Sequence, residues 1–180
     1  MIYCDTLLSP SVQNLIPNAF LYSLCSFPVG IYSDLKLIKS LKKKYGEDDS
    51  GSKLNKQVSR DFSDSKSART LLLRFHREVA ASDIADALGD ALINKVGKGT
   101  SNKFSTFVLD MVGGDKLTKG SDLYITCKGE KLWSSTTDTD AKTISIKGLC
   151  SAIFDVYLGD SPVSQQAKEG FEQGFADMIV

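Results

Sequence analysis

The side chains with chemistry to offer are a single histidine, His76, the arginines beside it, Arg74 and Arg77, and four cysteines. A histidine titrates near neutrality and so suits a general base. His76 shares one strand phase with Arg74 and Glu78, and no Ser or Cys nucleophile is placed to partner it. It reads as a solvated or hydrogen-bonded strand histidine. Arg74 and Arg77 would hold an anionic ligand if they faced a pocket; otherwise they are surface strand arginines. Cys4, Cys25, Cys127 and Cys150 show no C-x-x-C spacing, and with one histidine they make a poor ligand set for zinc. Each lies among apolar or small residues, which predicts buried thiols in a reducing compartment. Cys150, flanked by Leu149 and Ser151, has no neighbouring charge to activate it. The GKGTSNK segment from Gly97 to Lys103 lacks the spacing of a phosphate-binding loop.

Composition removes several function classes. Lys+Arg and Asp+Glu both number 22, so the formal net charge is zero and no basic surplus marks a nucleic-acid binder. The basic run from Leu35 to Tyr45 is local and reads as a solvated helix face rather than a membrane-binding one. No apolar stretch approaches the roughly 20 residues that span a bilayer, so no stable membrane insertion is expected. A chain of 180 residues fits one domain with a core of its own. Nothing in the composition calls for a cofactor.

Several elements must position these residues. Residues 1–20, punctuated by Pro10 and Pro17, read as an irregular or truncated lead-in to a domain over 21–180. The aromatic and β-branched run from Asn18 to Ser33 is one strand, or two broken near Pro28. Asp34 can cap a helix with Leu35, Ile38 and Leu41 inward. Leu54, Val58 and Phe62, four apart, hint at a short helix after a polar loop. Arg69 to Val79 alternates as a single strand. Ser82 then caps a helix with Ile84, Ala85, Leu88, Leu92 and Ile93 inward, ended by Gly97 and Gly99. Phe104, Phe107, Val108 and Met111 face a second helix toward the core. Three strands follow between Lys119 and Ile146, separated by turn residues. Two closing helices bury Leu149, Ala152, Ile153, Val156 and Tyr157, then Ala167, Phe171, Phe175 and Met178. Strands with short turns beside segregated helices make an α+β layer fold.

The closing run GLCSAIFDVYLGDSPVSQQAKEGF resembles the final helix pair of chalcone-isomerase-like proteins. KGSDLYITCKGEKLWSST resembles their preceding hairpin, RTLLLRFHREVAASDIADAL their central strand and following helix, and PVGIYSDL an early strand-to-helix step. The resemblance implies an open-faced β-sandwich: a large, mainly antiparallel sheet, a layer of helices on one side, and a cleft between them. Some members of this fold class close a chalcone to a flavanone; others resemble plastid fatty-acid-binding proteins, which implies a chloroplast stromal location, with the cytoplasm as the alternative; a monomer is expected.

The isomerase reaction needs an arginine to steer an attacking oxyanion and hydrogen-bond donors to polarise a ketone. By resemblance the arginine position falls near Leu15, the tyrosine at Ile84, the asparagine at Ala91 and the hydroxyl residue at Cys150. A further tyrosine that clamps carboxylates in the binding relatives falls at Phe27. The expectation is therefore a non-catalytic protein whose cleft, lined by Phe27, Ile84, Ala91 and Cys150 and stripped of hydrogen-bonding side chains, holds a fatty acid or similar apolar carboxylate. The alternative is a chalcone–flavanone isomerase, an intramolecular lyase.

Overall fold

The computed structural model describes residues 20–23, 29–46 and 52–179. Within them the chain runs β1 (Phe20–Ser23), β2 (Val29–Ser33), α1 (Leu35–Tyr45), α2 (Ser52–Asp64), β3 (Arg69–Arg74), β4 (Val79–Ala80), α3 (Ala81–Val96), α4 (Lys98–Val112), β5 (Lys116–Leu117), β6 (Asp122–Lys128), β7 (Lys131–Thr136), β8 (Lys142–Ser145), α5 (Leu149–Leu158) and α6 (Gln165–Ile179). Six strands form one sheet in the order β1-β2-β3-β6-β7-β8, with every neighbouring pair antiparallel. Beta-4 and β5 form a separate two-stranded ribbon. The segment from Asn18 to Ser33 thus contributes two paired strands.

Alternation along the strands separates two faces. Ile31, Leu71, Leu123, Ile125 and Leu132 point toward the helices and join one apolar core with Phe62, Phe104, Phe154 and Phe171. Tyr32, Leu72 and Tyr124 form a smaller buried cluster on the opposite face. Phe62 sits edge-on against both Phe154 and Phe171, which ties α2, α5 and α6 together. The α+β architecture with its sheet and helix layers is the expected one.

Local chemistry explains the element ends, with some departures from expectation. Asp34 caps α1 by accepting from the Lys36 backbone N–H at 2.8 Å. The inner stripe of α1 is Leu37, Leu41 and Tyr45, one residue round from the expected set. Helix α3 begins at Ala81 without a side-chain cap, so Ser82 lies inside its first turn. Gly97, at φ 77°, is the joint between α3 and α4, a conformation that costs glycine nothing. The two helices then pack so closely that a Cβ on Gly89 would meet Ser105 Oγ at 2.1 Å. Ser101 Oγ donates to the Gly89 carbonyl at 2.7 Å and Ser105 Oγ to that of Ala85 at 3.0 Å, fixing the contact.

Two findings concern groups that the sequence reading placed otherwise. Cys127 and Cys150 are buried as expected, but they are not thiols: a disulfide joins them, with their Cα atoms 5.7 Å apart. It staples β6 to the first turn of α5. Arg69, read only as the start of a strand, is fully buried on the helix side of β3, directly across from Cys127. Its Nη1 donates to the carbonyls of Phe62 and Ser63, the open end of α2, and its guanidinium lies 4.6 Å from the Phe154 ring centre. A cation at a helix C-terminus meets both the unpaired carbonyls and the negative end of the helix dipole. Burial still pushes its pKa down to about 10, with nearby Asp64 acting in the opposite sense.

Candidate functional site

The strand expected to run from Arg69 to Val79 stops at Arg74. Phe75 still meets the lead-in to β6, and the chain bends away at residues 76–77. Phe75 N–H donates to the Ser121 carbonyl at 3.0 Å, and Gly120 N–H donates to the Phe75 carbonyl at 2.7 Å. Gly120, at φ 90°, permits that approach. The turn then feeds β4, whose pairing with β5 is reinforced by the Glu78–Lys116 ion pair at 2.9 Å. The break leaves an opening at the end of the sheet, beneath the last turn of α5.

That opening is a cleft of about 510 Å³ lined by Val29, Leu73, Arg74, Phe75, His76, Arg77, Val79 and Tyr157. Its floor is apolar, and three nitrogen-bearing side chains stand along its border. Arg74 is engaged in a bidentate pair with Asp122, Nε to Oδ1 and Nη2 to Oδ2, both at 2.8 Å. The same carboxylate accepts from the Tyr124 hydroxyl at 3.1 Å, and burial, ahead of the Asp122 charge, raises the Tyr124 pKa. Arg74 is therefore a braced wall whose charge is already answered. His76 and Arg77 are exposed, and among the described residues nothing pairs with the Arg77 guanidinium.

Tyr157 closes the inner side. Only 7% of it is exposed, and burial pushes its hydroxyl up to about 12. Behind its ring lies a second void of about 10 Å³, about one water in size, walled by Leu88, Leu92, Phe104, Ile125, Ile153, Val156 and Tyr157. The walls of that void are wholly apolar, so the Tyr157 hydroxyl does not face it.

Of the four positions drawn from the resemblance, three are described and lie away from this cleft. Phe27 lies outside the described residues. Ile84 is buried in the first turn of α3, and Ala91 is half-buried two turns on, packed against the same core. Cys150 is in the disulfide. None of Ile84, Ala91 and Cys150 lines the cleft at the end of β3. Guanidinium, imidazole and phenol groups border this cleft, supplied by positions outside the resemblance mapping. Arg74 and Arg77, potential holders of an anion, and His76, a potential base, read from the sequence as surface residues. Tyr157 had been placed in the helix stripe, where its hydroxyl was the unused signal. Among the described residues no cluster of His, Cys, Asp or Glu suits a metal ion, and no helix is long and apolar enough to cross a membrane.

No protein-family model matches the chain, and no curated relative does. A solved structure does: the crystal structure of a fatty-acid-binding protein from Arabidopsis thaliana. It superposes with a TM-score of 0.65 at 18% identity, over 89% of this chain and 86% of that one. The fold is therefore the chalcone-isomerase-like α+β fold.

Proposed function

We propose that the chain binds a fatty acid or similar apolar carboxylate in the cleft between the end of β3 and α5, without transforming it. The observation that carries this reading is the make-up of the cleft: about 510 Å³, with an apolar floor, unpaired Arg77 beside His76 at the border, and no acidic residue in the lining. Burying an alkyl chain supplies about 0.8 kcal/mol per methylene, while a half-hydrated cation at the border orients the head at modest energetic gain. A structural neighbour described as fatty-acid binding supports the same class of ligand. Action as a monomer in the chloroplast stroma belongs to this proposal and rests on the family resemblance.

A second reading, the intramolecular lyase, draws on the guanidinium and phenol at the cleft. It needs preorganised donors in a water-excluded site. Arg77 is exposed and Arg74 is held by Asp122, so neither guanidinium is available in such a setting. Two measurements on the purified chain test the choice. Solvent extraction followed by mass spectrometry should release close to one fatty acid per chain, or the empty chain should take up added hexadecanoate. Chalcone absorbance should decay at the buffer rate. A chain that neither carries nor binds an acid, or one that accelerates chalcone loss, contradicts the proposal.

A further inference from the structure

The Tyr157 hydroxyl is a largely buried polar group with no protein partner among the described residues. Its residue is more than nine-tenths buried, and its raised pKa has desolvation as its only cause, with no hydrogen-bonding partner contributing. Among the described residues it makes no hydrogen bond, yet it is not one of the atoms sealed from solvent without a partner; those are Ser59 Oγ, Ser63 Oγ and Arg69 Nε. The void behind its ring has no polar surface, while Tyr157 also lines the cleft, which is the side from which a ligand can reach it. A ligand that seals such a hydroxyl without pairing it meets a cost, so the site discriminates between ligands that answer it and ligands that do not.

From this we infer that the ligand of the cleft carries a second oxygen function, a hydroxyl or oxo group along its apolar chain, which pairs with the Tyr157 hydroxyl while its carboxylate lies at Arg77 and His76. The inference rests on the reading of the cleft as a site for apolar acids and narrows it to oxygenated ones. The geometry divides the labour. Val29, Leu73, Phe75 and Val79 supply the greasy floor, the Arg77 guanidinium at the border selects an anion, and Tyr157 on the inner wall offers a hydrogen bond. A plain saturated acid satisfies the floor and the border but leaves the phenol dry.

The test is a matched set of probes. Hexadecanoate and a positional series of monohydroxyhexadecanoates are titrated against the wild-type chain and against Tyr157→Phe, which keeps the ring that fills the core. At least one hydroxylated isomer should bind the wild type about tenfold more tightly than hexadecanoate, the worth of one net hydrogen bond. That preference should vanish in Tyr157→Phe, while hexadecanoate affinity stays level or improves. If hexadecanoate binds and no isomer binds better, or if the preference survives in Tyr157→Phe, the inference fails while the apolar-acid reading stands. If neither hexadecanoate nor any isomer binds, both fail.

Discussion

At one end of β3, Arg69 is sealed beneath α2 and α5; at the other, Arg74 and the turn at 75–77 border an open cleft. The two ends lie on one strand and solve the same problem, an arginine near an apolar core, in different ways. Arg69 gives its charge to the carbonyls at the end of α2 and stacks on Phe154, next to the Cys127–Cys150 staple. Arg74 gives its charge to Asp122, so that Arg77, three residues on, is left with none to answer it. The closed end spends its polar groups on holding elements together. The open end leaves some over for a ligand.

Substitutions should separate the two ends. Arg69→Ala strips the donors from two buried carbonyls and leaves a cavity, so a loss of about 4 kcal/mol is expected in urea unfolding. Reduction of the disulfide, or Cys127→Ala, should cost about 3 kcal/mol through the loop it closes, a sequence separation of 23 residues. Unfolding midpoints with and without reductant measure it. Arg74→Ala leaves Asp122 with only the Tyr124 hydroxyl. Because Arg74 is 31% exposed, the expected cost is smaller, about 1.5 kcal/mol. Arg77→Ala should change stability by no more than about 0.5 kcal/mol. It should nevertheless weaken binding of a fluorescent fatty-acid probe about fivefold, in line with the modest worth of an exposed ion pair. A large stability loss from Arg77→Ala, or a binding loss from Arg69→Lys in a chain that stays folded, would blur the distinction.

The closed end was legible in parts. Apolar spacing in α2, α3, α5 and α6 and alternation in β3 placed much of the core, because each is a local pattern of period 3.6 or 2. The pairing of Arg69 with Cys127 was not local. It depends on the β3–β6 register across more than fifty residues, and the meeting of Cys127 with Cys150 depends on how α5 packs on β6, 23 residues on. The open end was hidden for another reason. RTLLLRFHREV alternates without a turn residue, and the strand ends where its partner runs out, at the Ser121 and Gly120 lead-in to β6 that takes up the backbone of Phe75. The family resemblance led to the fold, and its mapped positions led to Ile84, Ala91 and Cys150 inside or against the core. The cleft at the strand break is built from other residues, which explains why its polar groups went unassigned.

Backbone amide NMR of the oxidised chain titrated with hexadecanoate would test the account most directly. Shifts should concentrate at Val29, Leu73, Phe75, His76, Arg77, Val79 and Tyr157, with the amides around Arg69, Ser63 and Cys127 unmoved. Saturating shifts centred on the Arg69 end, or a spectrum unchanged by excess ligand, would contradict it.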